Sequence, residues 1–397
     1  MDKIIEKLRK EVKEELVDHI LPFWMNGMKD EVNGGFYGRI TGENQLEPEA
    51  PKGAILNARI LWTFSAAYRI LGKDEYLAVA TRAKRYLLDK FYDAEFGGIY
   101  WSVNYKGEPL DMKKQIYAIG FAIYGLSEYV RATGDEEALR YAQKLFESIE
   151  SYSFDKQENG YCEALTRNWA PIADMRLSDK DENEKKTMNT HLHILEPYTN
   201  LYRVWKDERL HFQLKNLIEL FADKILDEQT CHLNLFFEDN WLNKYHIISY
   251  GHDIEASWLL HEAALVLDDT DVLSRIEPLV VGIAKAAGEG LLSDGSLVYE
   301  HFPLTGKTDR ELHWWVQAEN VVGHINLYQY FGDTKALEIA VKCWQFIRSR
   351  LIDRENGEWF WSILPDGTVN RHDDKAGFWK CPYHSGRMCM EIMERFS

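Results

Sequence analysis

The sequence predicts an all-α fold, an (α/α)6 barrel of twelve helices with short β-hairpins in its long loops. Two series of short recurring segments indicate this architecture. The first is a tight-turn signal, in which glycine or an acidic residue ends one helical pattern and aspartate caps the next. Its five copies lie at 71–77, 133–139, 205–210, 268–273 and 331–337, and their final leucines are 62 to 71 residues apart.

The second series consists of aromatic loops that contain glycine and alternate with the tight turns. Its copies lie at 33–37, 95–101, 158–161, 294–299 and 355–361. They are typical of short hairpin loops. One unit is therefore a helix, a tight turn, a second helix and a longer aromatic loop. Six such units of ~65 residues account for the length of the chain.

Twelve helices follow in chain order, beginning with 2–26, whose residues Ile5, Leu8, Val12 and Leu16 mark one apolar face. The other predicted helices are 54–72, 75–92, 113–133, 135–152, 188–206, 208–226, 250–268, 270–289, 310–331, 333–351 and 380–396. Closure into a barrel requires the first helix to pair with the twelfth, and an open superhelix is the alternative. Because no Pro- or Gly-rich linker interrupts the chain, we expect residues 1–397 to form one domain.

The composition disfavours several classes of partner. A formal net charge of −17 argues against nucleic acid and anionic membranes, because both require basic patches. No apolar run approaches the ~18 residues of a membrane span, and the charged segment 1–16 is unlike a signal peptide. The five scattered cysteines lack a CxxC pair and indicate reduced thiols. We therefore expect a cytoplasmic protein with a neutral small-molecule ligand, and we expect it to be a monomer.

Unusual polar residues lie where the long loops lead into the following helices. Arg59 stands in the strongly apolar segment 52–62. It is either a surface or ion-pair residue, or an inward group that holds a sugar oxygen or a developing oxyanion.

Helical geometry separates two neighbouring histidines. His191 and His193 are two residues apart, about 200° around a helix, so they cannot share a face. Asn189, His193 and Glu196 can share one. We take that face as inward, His193 as functional and His191 as structural.

Two further histidines are predicted near helix N-termini. His252 precedes Glu255 by three residues, and the helix dipole there favours a neutral, basic ring. Glu255 is expected to orient His252 or bind a sugar hydroxyl, whereas Asp253 has the place of an ordinary N-terminal acid. Pro382 suits the first turn of the last helix and places His384 in the same region.

A lone histidine is usually structural, but three at the same end of successive inner helices indicate a functional site. Trp315 and Glu319 share a face beside them. Three histidines and a glutamate are adequate zinc ligands, but without HExxH spacing we predict no metal. A glycoside hydrolase needs a pair of catalytic carboxylates, whereas the distinctive segments of this sequence centre on histidines. The sequence contains no nucleotide-binding loop, so we expect no nucleotide.

At these segments the sequence resembles the cellobiose 2-epimerases of the N-acylglucosamine 2-epimerase superfamily, which also contains aldose–ketose isomerases. The resemblance runs the length of the chain in order. The segments that carry it are KGAILNARILW (52–62), KTMNTHLHILE (186–196), SYGHDIEASWLL (249–260), HWWVQAE (313–319) and WKCPYHSGRMC (379–389). The last two favour the disaccharide branch. One departure is Ser385, where the family pattern has asparagine; its side chain is expected to point away from the site.

The resemblance implies an (α/α)6 barrel without cofactor that interconverts the reducing-end glucose and mannose of disaccharides. It implies that His252 and His384 are the two acid–base histidines and that His193 is a third catalytic histidine. Substrate-contacting positions match Arg59, Tyr117, Asn189, Glu255, Trp315, Glu319 and Trp379. The alternatives are an aldose–ketose isomerase, an N-acylglucosamine or mannose 2-epimerase and a non-catalytic glycan-binding barrel.

Overall fold

The computed structural model describes residues 2–397 and contains, within them, twelve α-helices joined by long and short connections in alternation. The all-α prediction is confirmed. The helices are α1 (Asp2–Glu15), α2 (Ala54–Leu71), α3 (Asp74–Tyr86), α4 (Ile116–Thr133), α5 (Glu136–Tyr152), α6 (Met188–Val204), α7 (Glu208–Leu220), α8 (Tyr250–Leu267), α9 (Thr270–Ala287), α10 (Trp314–Phe331), α11 (Thr334–Phe346) and α12 (Tyr383–Arg395).

Six of the helices form a closed inner ring. Each even-numbered helix packs on the next, and α12 returns to pack on α2. The odd-numbered helices lie outside, and α1 packs on α12. The contact between α12 and α2 closes the inner ring, and the first helix pairs with the twelfth outside it, so the barrel is correct and the open superhelix is wrong. Within the described residues, none of the helices combines the length and apolar character needed to cross a bilayer.

Short antiparallel strands lie in the long loops and precede five of the inner helices directly. They form the sets β1–β2–β3, β4–β5, β6–β7, β10–β9–β8 and β11–β12. Their bounds are β1 (Lys52–Gly53), β2 (Ser102–Val103), β3 (Pro109–Asp111), β4 (Lys114–Gln115), β5 (Ala164–Leu165), β6 (Lys186–Thr187), β7 (Phe236–Phe237), β8 (Ile248–Ser249), β9 (Glu300–Phe302), β10 (Lys307–Asp309), β11 (Leu312–His313) and β12 (Ser362–Ile363).

The structure corrects three predicted helix starts, two of them because of these strands. The helices predicted at 113–133 and 310–331 begin at Ile116 and Trp314, because the preceding residues pair with a neighbouring strand. The helix predicted at 380–396 begins at Tyr383, after the N-cap Pro382. Each of these strand pairs fixes the residue at which the following inner helix begins.

Buried ion pairs tie the loop after an outer helix to the strand before the next inner helix. The pairs are Lys52–Asp30 at 2.7 Å, Lys114–Asp93 at 2.9 Å and Lys186–Asp155 at 3.0 Å, and all three lysine side chains are fully buried. Each aspartate also accepts hydrogen bonds from backbone N–H groups two and three residues further on. The same device thus anchors three successive units.

A four-residue turn recurs in all six long loops, and its last residue has a positive φ. That position is occupied by Asn44, Gly107, Trp169, Trp241, Gly295 and Gly367. Each tryptophan donates its indole N–H to a backbone carbonyl, Phe96 or Glu158, at 2.8 Å. Trp241 lies 5.2 Å from the ammonium of Lys186, so the ring covers a buried ion pair. This covering explains why a bulky residue stands where glycine would be least strained.

Candidate active site

A cavity of about 610 Å³ opens at the long-loop end of the barrel, where the inner helices begin. All six inner helices contribute to it. Nine of the ten predicted site residues line it: Arg59, Tyr117, Asn189, His193, His252, Glu255, Trp315, Trp379 and His384. The tenth, Glu319, is buried directly behind the wall, where it contacts His384.

Each of the three histidines predicted from the sequence uses Nδ1 for a hydrogen bond to the protein, which leaves Nε2 as the free ring nitrogen. His193 Nδ1 lies 3.1 Å from Glu196, and His384 Nδ1 lies 2.7 Å from Glu319. His252 Nδ1 instead lies 2.8 Å from the hydroxyl of Ser249. Two histidines therefore have a carboxylate partner, and the third has a neutral one.

Burial keeps these rings uncharged. It lowers the pKa of His384 to about 3 despite the nearby Glu319 carboxylate. Burial lowers the pKa of His252 to about 3, and the repulsion that His193 and His384 would exert once protonated adds to this effect. The pKa of His193 is also lowered, because burial outweighs its bond to Glu196. The rings are therefore neutral bases at physiological pH.

Below the histidines, Arg387 joins three buried carboxylates. It donates to Glu255 at 2.8 Å and to Glu319 at 2.7 Å, and it also contacts Glu196 and Tyr383. Sequence reasoning missed Arg387 as a site residue. The available signal was its spacing, since it lies three residues after His384 and so on the same face of α12.

One guanidinium does not neutralise three carboxylates equally. The pKa of Glu319 is lowered to about 2, because Arg387 and His384 outweigh the effect of burial. The pKa of Glu255 is raised well above its ordinary value by burial and by the Glu319 charge, against the influence of Arg387. Glu255 therefore retains a proton to higher pH than an ordinary carboxyl group does.

Two predicted roles need correction. Glu255 does not orient His252, because its Oε1 accepts from Arg387 while Ser249 is the partner of His252. Glu319 supports the cavity instead of lining it; besides its bonds to His384 and Arg387, it accepts from the indole of Trp258 at 2.9 Å.

The remaining histidine prediction agrees with the structure. His191 lies outside the cavity lining, with Nδ1 2.6 Å from the carbonyl of Thr187 and Nε2 accepting from Tyr161 N–H at 2.9 Å. Asp253 accepts from His232 at 2.7 Å, so it anchors a loop. Ser385 donates to Glu358 at 3.2 Å, away from the cavity.

Arg59 places a positive charge in the wall of the cavity. It donates to the Tyr117 hydroxyl at 2.8 Å and the Trp379 carbonyl at 3.3 Å, and it lies 4.1 Å from the Phe121 ring centroid. Among the described residues, no carboxylate forms an ion pair with it. Its charge is therefore available to an oxygen of a bound molecule.

Aromatic side chains complete the walls. The Trp315 ring lies close to both His252 and His384, at centroid distances of 4.8 and 5.7 Å. In the part of the chain that the structure describes, the indole N–H groups of Trp314 and Trp361 have no hydrogen-bond partner. Sequence reasoning did not select these two residues. Flat rings with free donors suit a sugar, which offers both an apolar face and hydroxyl groups.

Donor atoms of Glu255, Glu319 and His384 lie within 4.8 Å of one another, close enough to share a cation. Arg387 already donates to both carboxylates. The positive charge that a metal ion would supply there is thus supplied by a guanidinium. The absence of a metal remains a prediction.

Comparison with known proteins places this site in context. The sequence profile of the N-acylglucosamine 2-epimerase (GlcNAc 2-epimerase) family matches residues 35–386. A cellobiose 2-epimerase of Bacteroides fragilis is 67% identical over 98% of this chain and 99% of the relative. The structure of cellobiose 2-epimerase from Bacillus thermoamylovorans B4167 is similar with a TM-score of 0.94, at 43% identity and 100% coverage of both chains. A D-mannose isomerase structure, 17% identical over 97% of each chain, shares the fold with a TM-score of 0.84.

Proposed function

Because the chain belongs to the N-acylglucosamine 2-epimerase family, we propose that it interconverts glucose and mannose at the reducing end of β-1,4-linked disaccharides. Cellobiose would give glucosylmannose, and lactose would give epilactose. The enzyme is an isomerase, a sugar 2-epimerase.

The observation that carries the proposal is the placement of His252 and His384 in one cavity, with both rings close to Trp315, at centroid distances of 4.8 and 5.7 Å. Inversion at C2 needs two acid–base groups, because the proton leaves one face of the carbon and arrives on the other. Imidazole is suited to both tasks, since its ordinary pKa lies near neutral pH.

The reaction begins when the bound pyranose opens with the help of a histidine. One neutral histidine removes the proton from C2, and the electrons of that C–H bond form the C1–C2 double bond of a cis-enediolate while O1 takes the negative charge. Rotation about C2–C3 presents the other face. The negative charge of the enediolate favours protonation of the second histidine, which takes up a proton from solvent and returns it to C2. The first histidine then releases the proton that it removed to solvent, so both rings are neutral before the next turnover.

The surrounding charges match this sequence of steps. Arg59 and nearby donors stabilise the negative O1 of the enediolate. Glu319 and Glu196 accept hydrogen bonds at Nδ1 and stabilise the imidazolium forms of His384 and His193.

The aromatic walls hold the disaccharide. Trp315 and Trp379 stack on the faces of the reducing-end sugar, and Tyr117 and Asn189 contact its hydroxyl groups. The second sugar lies toward the long loops, where Trp361 also lines the cavity.

We further propose that the protein acts in the cytoplasm, as a single-domain monomer without cofactor or metal. In support of a reducing compartment, all five cysteines are free.

Incubation with cellobiose, lactose, mannose and N-acetylglucosamine in D2O, followed by NMR, tests the proposal. We expect epimerised disaccharide with deuterium at C2. Ketose as the main product would instead identify an isomerase that returns the proton to C1. Released glucose would identify a hydrolase, and unchanged sugar without deuterium a glycan-binding barrel.

The His384→Ala variant tests the assignment of the base. We expect it to lose at least about 100-fold in kcat for cellobiose, because proton transfer by a positioned side chain contributes about 10² to 10⁴. His246→Ala, at an exposed histidine, is the matched control and should retain wild-type activity. Near-normal epimerisation by His384→Ala would show that the assignment is wrong.

A further inference from the structure

We propose that Ser249 is a positioning residue that fixes the tautomer of His252 and thereby directs protonation of the enediolate to C2. This inference rests on the proposed function. It concerns a residue outside the cavity lining, which acts through the histidine that it contacts.

Ser249 is held in place from two directions. It belongs to β8, where it pairs with Glu300 of β9, and it is the N-cap of α8. Its side chain is fully buried. The hydroxyl is therefore fixed relative to the helix that carries His252.

The hydroxyl makes no capping hydrogen bond, although a serine at this position normally accepts from a backbone N–H of the first turn. Thr187, the N-cap of α6, does accept such a bond, from Thr190 at 3.1 Å. The Ser249 hydroxyl lies instead 2.8 Å from His252 Nδ1. The Ser249 hydroxyl thus contacts the histidine instead of capping the helix.

A hydroxyl affects the ring differently from a carboxylate. An ionised carboxylate only accepts, so Glu319 fixes a proton on Nδ1 of His384 and stabilises its imidazolium form. In the tautomer that we infer for His252, the Ser249 oxygen also accepts from Nδ1–H, but it brings no negative charge. Glu319 thus stabilises a positive charge on His384, whereas Ser249 gives no such stabilisation to His252, and we assign the donor role to His252.

This difference bears on the fate of the enediolate. When the His252 imidazolium donates its Nε2 proton to C2, the electron pair of the C1–C2 double bond forms the new C–H bond and O1 becomes a carbonyl oxygen. The neutral ring keeps its Nδ1–H bond to Ser249. Without the hydroxyl, the proton of the neutral ring moves to Nε2, and donation to C2 slows. Protonation at C1 by the imidazolium of His384, with the hydroxyl proton of O2 passing to O1, then takes a larger share and yields the ketose.

Two readouts on Ser249→Ala test the inference. The ¹⁵N spectrum of labelled histidine, assigned with His252→Gln, reports the tautomer without any need for turnover. We expect loss of the Nδ1–H form of His252. In the reaction, we expect kcat for epimerisation to fall about 10- to 100-fold with KM nearly unchanged, and the ketose fraction to rise.

Ser249→Thr should restore the spectrum, the rate and the product ratio, because it keeps the hydroxyl. Ser257→Ala, at a buried serine of the same helix that bonds to the Ile254 carbonyl, is the control and should change none of them. If Ser249→Ala does not fold, Ser249→Cys gives the same two readouts with a weaker hydrogen bond.

An unchanged His252 tautomer in the variant, or a slower reaction with an unchanged ketose fraction, would overturn the inference. Failure of the proposed function is distinguishable: the wild-type protein would then form no epimer, while the ¹⁵N spectra of the same samples would still decide the role of Ser249.

Discussion

Arg387 brings the positive charge to a cluster of three carboxylates, Glu196, Glu255 and Glu319, and all four side chains are buried. Replacing Arg387 with methionine keeps the bulk of the side chain but leaves these carboxylates without a counter-charge. Removing one partner of a buried ion pair costs about 3–5 kcal/mol. We therefore expect Arg387→Met to lower the free energy of unfolding by about that amount, as measured by urea denaturation.

Arg140 provides the control, because its side chain is 61% exposed and its ion pair with Glu136 is long, at 4.0 Å. Arg140→Met should change the free energy of unfolding by no more than about 0.5 kcal/mol. Equal stability of the two variants would contradict the importance assigned to the buried cluster.

Single-residue predictions succeeded where local helix geometry was sufficient. The angle between His191 and His193 follows from helical spacing alone, and the structure places the two rings as expected. Arg387 and Ser249 could not be recognised in this way. The carboxylate partners of Arg387 lie on other helices, more than 60 residues away in the sequence. Ser249 stands directly before a helix, where a serine normally indicates a cap.

Among the elements, the tight turns and the inner helices were predictable because their residue types determine them locally. The two-residue strands were not, since each exists only through its pairing with a distant loop. For the same reason the starts of α4 and α10 were placed three to four residues too early.

The recurring turn of the long loops permits a matched comparison between Trp241 and Asn44. Both have a positive φ, which costs about 1–2 kcal/mol and is relieved by glycine. Trp241 is also buried over an ion pair, and truncating a buried tryptophan costs about 3–5 kcal/mol. We expect Trp241→Gly to lose about 2–4 kcal/mol of unfolding free energy in urea.

Asn44→Gly relieves the same backbone strain and removes a side-chain oxygen that has no hydrogen-bond partner among the described residues. It should therefore be neutral or stabilising by up to about 1 kcal/mol. If Trp241→Gly were as stable as Asn44→Gly, the indole would contribute nothing by covering Lys186.

For the whole molecule, buried acids should make the protein less stable as the pH rises from about 7 to 8. Burial raises the pKa of Glu163 to about 8, and those of Glu15, Glu150 and Glu300 to about 7, above the ordinary value of 4.5. In this range the folded chain holds protons that the unfolded chain has lost, so the free energy of unfolding falls.

The buried histidines act mainly at lower pH. Burial lowers the pKa of His191 to about 4, and those of His252 and His384 to about 3, so the stability they contribute increases as the pH rises through the unfolded value of 6.5 and is largely complete by about pH 7.5. Urea unfolding at pH 7.2, 7.6 and 8.0 should therefore show a decline, and Glu163→Gln should make that decline shallower. A free energy that rises across this range would contradict the assignment.

The sequence alone could not establish that the ring closes; it only showed that closure requires the first helix to pair with the twelfth. The repeat count gives six hairpins, but whether the twelfth helix meets the first depends on the angle between successive units. That angle arises from side-chain packing along the whole ring, which local patterns do not encode.

The closed ring sets an order of events during protein synthesis. The ribosome makes α12 after the other eleven helices, and until then α2 and α10 each lack a neighbour. The same late segment carries His384 and Arg387, so the nascent chain holds Glu196, Glu255 and Glu319 without the guanidinium that later joins them. Barrel closure and assembly of the proton-transfer centre are therefore a single step, which follows translation of the last helix.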